Sequence, residues 1–508
     1  MRRRPLLLLL LLLPVLSVYY PVLKAGYTNW DDPYSTYKNP VVQNLTAASA
    51  AKTFTSTRLA NYHPLTDLSL ALETAAFGEK AAVHHAGNLL LHALNSVLVF
   101  LLLASLLGAE WPALAGALLW ALHPVNAESA AWIAERKNLL YAFFYLAALL
   151  AYLRRREGRG WTVLVFGLFL LSLLSKASAV TLPLALLALD WRDSRPLDRG
   201  NIAEKTALLG LALVFTLVAA AAQGARGELL TGNFTGLFSF YLLKTLWPAA
   251  LSALYPYADT LAALKAHALL YTLPAAAYAG ALFWAVKKDR TAAFGLLFFL
   301  VNILPFALMV PIGPSLGADR YLYLAAAGLI AAACAALAPR AGAGKARLAA
   351  PAVLWLACLL TAGALTAGRI KTWRSSETLW ADVLQKYPDN EIANLNMAEA
   401  LLERGRWAPA QDYLKKVLAV NPSNPDALYN LGTALAAAGR AAEALPLLKK
   451  AAFLKPGSAM AWNNLGLAQL ALGSPAEARK AFLTATAADP SYRPAYGGLA
   501  LADKALRR

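Results

Sequence analysis

The stretch that decides the fold of the C-terminal part is residues 425–458, PDALYNLGTALAAAGRAAEALPLLKKAAFLKPGS, because its pattern recurs along the chain. Prolines lie 34 residues apart, at Pro388, Pro422, Pro456 and Pro490. Small residues recur with the same spacing where packed helices must approach each other, at Ala398, Gly432 and Gly466 and again at Ala410, Ala444 and Ala478. A constant period of this length predicts stacked helix–turn–helix units.

A period of 34 residues is that of the tetratricopeptide repeat. We predict three full repeats at 391–424, 425–458 and 459–492 (together 391–492), a linker and half-repeat at 369–390, and a capping helix at 493–508. Stacked repeats share one core and leave a concave face on which a protein or peptide partner can bind. The alternative is that the repeats only dock on the rest of the chain or on a second subunit.

The composition of the whole chain indicates that it contains a large membrane domain. Of the 508 residues, 59% are hydrophobic and 15% are charged, whereas soluble proteins average about 45–50% apolar and about 25% charged residues. Apolar runs of membrane length recur before residue 369 and not after it, which excludes a wholly soluble enzyme. We therefore predict an all-α protein, with a polytopic membrane helix bundle at residues 1–368 followed by an α-solenoid of repeats.

Eleven membrane-spanning helices are predicted in residues 1–368. The first is an uncleaved helix at 5–23, which follows three arginines and lacks a small-residue cleavage site. The segment 236–252 is apolar but contains Trp247-Pro248, and we predict that it is re-entrant or interfacial. The other ten spans are predicted at 86–107, 112–124, 138–153, 161–174, 177–190, 206–222, 268–286, 291–310, 321–338 and 349–368.

The charge distribution predicts the orientation of these helices. On the eleven-helix interpretation, 17 of the 29 Lys and Arg residues in residues 1–368 lie in short segments on one side. Basic residues collect in cytoplasmic loops, so the N-terminus is expected inside and the repeats on the non-cytoplasmic side of a bacterial inner membrane. The net charge of +18 does not indicate nucleic-acid binding, because no basic stripe with interleaved aromatic residues is present.

Two adjacent acids lie close to the end of the first helix, in the long outside loop 24–83. They are Asp31 and Asp32, in the phrase GYTNWDDPY at residues 26–34. Flanking aromatic residues are typical of the membrane interface, so both carboxylates are expected at headgroup depth. A membrane-bound substrate would present its reactive group there. The alternative is a solvated turn in which an Asp side chain caps the backbone before Pro33.

Other polar side chains are expected on the same outer side. Guanidinium and ammonium groups there would suit a lipid phosphate leaving group, and the candidates are Arg136, Lys137, Lys176 and Arg320. Residues that could contact the acceptor or support the site are His63, His123, Glu128 and Tyr321. The alternative for each cation is a snorkelling side chain or a helix cap.

Polar residues also recur on one face of the helix at 86–107 and just before it. His85, Asn88, His92 and Asn95 follow the spacing of three and four residues that lines one helix face. In a membrane helix such a stripe indicates hydrogen bonds between helices more often than a metal site. We therefore predict no metal site from these histidines.

The order of these motifs resembles that of GT-C fold glycosyltransferases of the protein O-mannosyltransferase type. The resemblance is strongest to the transmembrane and tetratricopeptide-repeat proteins and their bacterial relatives. The matching phrases are Trp30-Asp31-Asp32 and the segments 62–66, 85–95, 123–128, 175–190 and 319–324. The sequence departs from the pattern of this family at two positions. Relatives often have His at the position of Asn126, and they often have an acid near the position of Asn138.

This resemblance implies a polyprenyl-phosphate sugar as donor and transfer to an acceptor on the outer face. It implies that Asp31 acts as the base, with Asp32 as the second acid. The sugar, the acceptor and any need for a divalent metal stay open. No other cofactor is implied.

Two hypotheses follow for the function. The first is an integral-membrane glycosyltransferase that inverts the anomeric carbon, with a lipid donor and a protein or peptide partner on the repeats. The second is a non-catalytic, membrane-anchored repeat scaffold for envelope assembly. The paired acids and the polar outer rim favour the first hypothesis, because polar groups at a membrane are costly and an anchor needs none.

Overall fold

The computed structural model describes residues 3–223, 234–308, 315–337 and 345–508. Its elements in these ranges are nearly all α-helices, and they form two compact units, Met1–Ser375 and Ser376–Arg508. The boundary lies a few residues beyond the change in composition at residue 369, because the last helix of the first unit continues to Thr372. The all-α prediction, a membrane bundle followed by repeats, is confirmed.

Eighteen α-helices of the described residues belong to the first unit. The first helix and the outer loop contain α1 (Arg4–Tyr19), α2 (Asp32–Ser35), α3 (Pro40–Gln43), α4 (Ala47–Thr53) and α5 (Pro64–Phe77). The next group is α6 (Ala81–Leu107), α7 (Glu110–Ala121), α8 (Ala127–Ala131), α9 (Arg136–Leu153), α10 (Arg159–Ser175), α11 (Leu182–Arg192), α12 (Arg199–Ala222) and α13 (Phe234–Leu246). The last group is α14 (Tyr257–Ala266), α15 (Ala268–Lys288), α16 (Arg290–Leu308), α17 (Leu322–Leu337) and α18 (Lys345–Thr372).

One short antiparallel ladder joins the strands β1 (Tyr255–Pro256) and β2 (Ser315–Gly317). Several 3₁₀ turns connect the helices, and two of them carry site residues, Ile133–Glu135 and Asp319–Tyr321. Both strands and both turns precede or follow apolar helices. The strands and the turn Ile133–Glu135 lie in segments that connect apolar helices, and Asp319–Tyr321 forms the first turn of the apolar helix that ends at Leu337.

Seven helices of the described residues are long and apolar enough to span a membrane. They are Arg4–Lys24, Ala81–Leu107, Arg199–Ala222, Ala268–Lys288, Arg290–Leu308, Asp319–Leu337 and Val353–Thr372. The other four predicted spans coincide with α7, α9, α10, and the turn Ala177–Thr181 together with α11. These helices are shorter or begin with charged residues. A helix such as α7, with 12 residues, rises only about 18 Å, whereas the hydrocarbon core is about 30 Å thick.

The predicted re-entrant segment does not form one continuous helix. Helix α13 ends at Leu246, and the chain then bends through Trp247 and Pro248. The residue before a proline disfavours the helical conformation, which explains why the helix stops there.

The polar stripe of α6 holds the bundle together. His92 pairs with the Tyr323 hydroxyl at 2.9 Å and with the Ala121 carbonyl at 3.1 Å. Asn95 donates to the Leu139 carbonyl at 3.0 Å, and both side chains are fully buried. These bonds join α6 to α7, α9 and α17, as expected of polar residues between membrane helices.

Two glycines allow α16 and α17 to pack in direct backbone contact. A Cβ atom on Gly295 would lie 2.5 Å from the Gly328 carbonyl oxygen, and the converse distance is also 2.5 Å. No side chain fits at either position. The pair α16–α17 thereby positions Asp319–Tyr321, the turn that begins the second of these helices.

The second unit is a series of helix pairs. Its helices are α19 (Ser376–Lys386), α20 (Glu391–Glu403), α21 (Trp407–Val420), α22 (Pro425–Ala437), α23 (Ala441–Leu454), α24 (Ala459–Ala471), α25 (Pro475–Ala488) and α26 (Arg493–Leu506). Side-chain caps recur every 34 residues at the start of the first helix of each pair, at Asn390, Asn424 and Ser458.

The small residues of the repeats lie where the helices touch. A Cβ atom on Gly432 would meet Leu448 at 2.7 Å, and one on Gly466 would meet the ring of Phe482 at 2.8 Å. The turn glycines, such as Gly439 with φ of +76°, adopt the left-handed conformation, which glycine enters without strain. The 34-residue pattern therefore reflects helix packing and turn geometry together.

Candidate functional site

Asp32 is a buried structural acid. Its side chain accepts hydrogen bonds from the Thr28 amide and hydroxyl, both at 2.8 Å, and from the Ala134 amide at 3.0 Å. These bonds fasten the first outer loop to the 3₁₀ turn Ile133–Glu135. Burial raises the pKa of Asp32 to about 6, although the hydrogen bonds from Thr28 act in the opposite direction.

Asp31 differs from its neighbour because it is half-buried and its carboxylate accepts no hydrogen bond from the described residues. Burial raises the pKa of Asp31, and the charge of Glu135 raises it further. The nearby cations Lys137 and Arg320 lower it in part. Asp31 is thus an acid with spare hydrogen-bonding capacity that faces positive charge.

Three cations surround one buried carboxylate beside Asp31. Glu135 is fully buried, and its oxygens lie 3.2 Å from Lys137 Nζ, 3.4 Å from Arg320 Nε and 3.8 Å from Lys176 Nζ. We call Glu135, Lys137, Lys176 and Arg320 the cation cluster. Burial acts to raise the pKa of Glu135, but the three cations outweigh it and hold the pKa below its usual range.

The cation cluster has two further polar contacts. The Lys176 ammonium donates to Asn138 Oδ1 at 2.6 Å, and an Arg320 guanidinium nitrogen donates to Glu128 Oε1 at 2.6 Å. Burial raises the pKa of Glu128 to about 7, against the opposing charge of Arg320. Burial likewise lowers the pKa of Lys176 to about 8.

Arg136 points away from the cation cluster. It forms a bidentate ion pair with Glu73, at 2.7 and 2.9 Å, and it donates to the His84 carbonyl at 2.8 Å. This pair requires Gly87 on α6, because a Cβ atom there would lie 1.9 Å from a Glu73 oxygen. The structure therefore brings Lys137 to the cluster and engages Arg136 in holding the outer loop against α6.

The four residues predicted to support the site lie in different surroundings. Tyr321 stacks on Phe306 with ring centroids 4.0 Å apart, and the Lys176 ammonium lies 5.6 Å from its ring. His63 immediately precedes α5 and lies 3.8 Å from Asp67, and burial lowers its pKa. His123 is buried against the Thr245 carbonyl at 3.0 Å, away from the cation cluster. Glu128 contacts Arg320, as described above.

A stack of tryptophans forms one side of the site. Trp132 lies between Trp30 and Trp373, with ring centroids 5.0 and 5.1 Å apart. The Arg320 guanidinium lies 5.5 Å from the Trp132 ring, a cation–π distance. Trp30 immediately precedes Asp31, so the stack fixes the start of the acidic pair.

Sequence reasoning did not assign roles to Glu135, Asn138 or Trp132. An acid two residues from a lysine in a loop is typical of an ion pair on the surface. Only the fold shows that Glu135 is buried beneath three cations. The usable signal was the density of charge: Glu128, Glu135, Arg136 and Lys137 lie within ten residues between two apolar helices. Within the described residues, no group of three or more His, Cys, Asp and Glu side chains could hold a metal ion.

Comparison with known proteins agrees with this architecture. Residues 62–222 match the family described as dolichyl-phosphate-mannose-protein mannosyltransferase. Residues 395–459 and 435–502 match tetratricopeptide-repeat families. The mannosyltransferase match begins after Asp31 and ends before Arg320, so it covers only part of the cation cluster.

Curated relatives match over a limited length. Protein O-mannosyl-transferase Tmtc1 of Drosophila melanogaster is 35% identical over 123 residues, which are 24% of this chain and 14% of that protein. Human TMTC3, also a protein O-mannosyl-transferase, is 31% identical over 126 residues, 24% of this chain and 14% of that protein. The matches thus span about one seventh of the relatives' own length.

Among solved structures, a crystal structure of MamA protein is 24% identical, covers 26% of this chain and 76% of that chain, and has a TM-score of 0.24. Together the family matches and the curated relatives confirm the resemblance seen in the sequence. The chain joins a segment that matches the protein mannosyltransferase family to segments that match tetratricopeptide repeats, and part of it is similar to the O-mannosyl-transferases of the TMTC group.

Proposed function

We propose that this chain is an integral-membrane glycosyltransferase that moves a sugar from a polyprenyl phosphate to an acceptor hydroxyl, most simply on a protein. The observation that carries the proposal is Asp31, a half-buried carboxylate that accepts no hydrogen bond from the described residues and lies close enough to Lys137 and Arg320 for their charges to lower its pKa. A base beside a phosphate-binding group is what displacement of a lipid phosphate requires. The family match at 62–222 supports the same chemistry.

The proposed reaction is a single displacement. Asp31 takes the proton of the acceptor hydroxyl while that oxygen forms a bond to the anomeric carbon. The bond from this carbon to the phosphate oxygen breaks, and the polyprenyl phosphate leaves with the electron pair. Lys137, Lys176 and Arg320 stabilise the negative charge that develops on it. One displacement inverts the anomeric configuration, as in inverting glycoside hydrolysis.

The electrostatics of Asp31 fit the role of a general base. Its pKa is raised by burial, and a base works best when its pKa approaches the working pH. Asp32 is less suited to this role, because it is buried and its carboxylate already accepts three hydrogen bonds that fasten the loop. We therefore assign Asp31 as the base and Asp32 as the residue that positions it. We assign Arg136 to the support of the outer loop and no longer to phosphate binding.

We further propose that the site and the repeats both lie on the non-cytoplasmic side. The seven long helices and the eleven predicted spans are both odd in number, so either count puts the two ends of the membrane unit on opposite sides. Short basic segments favour a cytoplasmic N-terminus. On the eleven-span count the outer loop, Ile133–Glu135 and Asp319–Tyr321 all lie on the outer face, because the four shorter helices between Leu107 and Arg199 also cross the membrane. The repeats would hold the protein partner or acceptor on that side.

The test compares cell-envelope proteins from a deletion strain that carries either the wild-type chain or the Asp31→Asn variant. Mass spectrometry should find at least one hexose-type modification that only the wild-type chain restores. Immunoblotting of the membrane fraction controls for equal amounts of both proteins. Identical modification in the two strains would contradict the proposed function and favour a scaffold.

A further inference from the structure

Glu135 is the most deeply buried charge of the site. Its side chain is 0% exposed, whereas the cations Lys137, Lys176 and Arg320 are 14–15% exposed. The carboxylate therefore lies beneath the cations, which remain accessible from the outer side. A ligand that approaches the cluster would meet the three cations first and would not contact Glu135.

The contacts of Glu135 are ionic, with no well-directed hydrogen bond. Neither of its oxygens has a hydrogen-bond partner among the described residues, although all three cations lie within 3.2–3.8 Å. The cations therefore keep N–H groups for another acceptor. Burying a carboxylate costs free energy that its ion pairs only partly offset. The burial of Glu135 therefore needs a reason other than packing.

We propose that Glu135 is the internal counter-ion of the phosphate site, a positioning residue that holds Lys137, Lys176 and Arg320 together while the lipid phosphate is absent. This inference rests on the proposed function, because it concerns the same site. Without a counter-ion, three cations in contact would repel one another in a low-dielectric environment. With Glu135 beneath them, they stay charged and close enough to bind one phosphate from above.

Lys176 depends most on this counter-ion. Burial lowers the pKa of Lys176 to about 8, and Lys137 and Arg320 lower it too, whereas Glu135 and Glu128 raise it. Its other contacts are with the Asn138 amide and with the rings of Tyr141 and Tyr321. Removing Glu135 removes a negative charge, so the pKa of Lys176 must fall further and the ammonium is lost at a lower pH.

The experiment measures binding of farnesyl phosphate, a short polyprenyl phosphate, to the full chain in detergent from about pH 6 to about pH 9. Wild-type binding should weaken as the pH passes about 8. In Glu135→Gln the same weakening should occur about one pH unit lower, the size expected for one nearby charge. Glu135→Asp restores the negative charge and should return the midpoint towards the wild-type value.

Two further variants complete the design. Glu110→Gln removes a carboxylate that pairs with the exposed Arg4, and it should keep the wild-type midpoint. Lys176→Arg cannot lose its charge in this pH range, so the weakening near pH 8 should disappear. This second variant tests the inference even if Glu135→Gln fails to fold. A Lys176→Arg protein that keeps the wild-type pH dependence would overturn it.

Failure of this inference differs from failure of the proposed function. Glu135→Gln could weaken binding by the same factor at every pH and keep the wild-type midpoint. Glu135 would then have only a structural role, which would overturn the inference but leave the phosphate site in place. If the wild-type chain does not bind farnesyl phosphate, or if Arg320→Ala binds it equally well, the phosphate site itself is contradicted and both proposals fall.

Discussion

At the scale of single residues, two adjacent acids have different surroundings. Asp32 is 1% exposed and accepts three hydrogen bonds, and Asp31 accepts none from the described residues. The sequence predicted that an acid at this position matters, because charges near a membrane helix are few and costly. It also ranked Asp31 first, through the resemblance. It could not show that Asp32 fastens the loop, since that depends on the distant amide of Ala134.

The two acids should therefore differ in their effect on stability. Asp32→Asn replaces an acceptor oxygen with an NH₂ group that must face a donor, and a buried unsatisfied group costs about 1–3 kcal/mol. We expect thermal unfolding of the outer loop at a lower temperature in Asp32→Asn and an unchanged profile in Asp31→Asn. Hydrogen exchange of the amides in residues 28–36 measures this difference. Equal protection in both variants would contradict the assigned roles.

The sequence also could not predict that two neighbouring basic residues have different partners. Arg136 and Lys137 are adjacent at the start of α9, and a helix directs successive side chains to different sides. The structure pairs Arg136 with Glu73 and directs Lys137 to the cation cluster. A pattern of charges alone does not specify which of two adjacent cations faces a site.

Arg320→Ala should impair donor use. Removing one group that stabilises the leaving phosphate is expected to cost about 2–4 kcal/mol of transition-state stabilisation, seen as a loss of kcat/KM for the lipid donor. Arg136→Ala should instead destabilise the fold by about 1–3 kcal/mol, because Glu73 keeps only His84 as a charged partner and the buried His84 carbonyl loses its donor. Donor kinetics and thermal unfolding of both variants distinguish the two effects. Unchanged donor kinetics in Arg320→Ala would remove this residue from the site.

At the scale of helices, the repeats were the easiest part to predict. Their period depends on local features that sequence displays directly: caps such as Asn424, turn glycines such as Gly439, and contact glycines such as Gly432. Hydropathy located the membrane helices along the chain, but it did not predict the length of each helix. Helix α7 is short because the chain turns at Leu122, towards a buried polar loop that hydropathy alone does not reveal.

Two adjacent glycines of α26 provide a matched test of repeat packing. A Cβ atom on Gly498 would lie 2.2 Å from the buried ring of Phe482, whereas one on Gly497 would meet nothing within 4 Å. Gly498→Ala should destabilise the last repeat by about 1–3 kcal/mol through overpacking. Gly497→Ala should stabilise the helix by up to about 1 kcal/mol. Hydrogen exchange of the α25 and α26 amides measures both, and equal effects would contradict this packing.

At the scale of the whole molecule, a membrane unit that carries acids, cations and aromatic rings in its connecting segments is followed by repeats. The all-α architecture follows from two periodic signals, hydropathy and the 34-residue spacing. The site does not, because its residues come from the outer loop, from Ile133–Glu135, from Lys176 and from Asp319–Tyr321, which only the folded chain brings together. The sequence indicated most of these residues one at a time but not the geometry that joins them.

The topology predicts where the C-terminus lies. An odd number of spans and a cytoplasmic N-terminus put Arg508 on the non-cytoplasmic side. A pair of reporters fused after Arg508, one active only outside and one active only in the cytoplasm, should give signal from the outside reporter alone. Activity of only the cytoplasmic reporter in a full-length, membrane-inserted fusion would overturn the orientation and place the site on the wrong side for its proposed acceptor.

The most direct test of the central claim is the rate of sugar transfer by purified Asp31→Asn protein. The full chain is reconstituted with a polyprenyl-phosphate hexose and an acceptor that the deletion strain identifies, and transfer is compared with that of the wild-type chain. Asn has the size of Asp but cannot take the acceptor proton, and loss of a general base lowers rates by about 10²–10⁴-fold. The account predicts a loss of this size, with unchanged insertion and unchanged binding of farnesyl phosphate. Turnover close to that of the wild-type chain would contradict it.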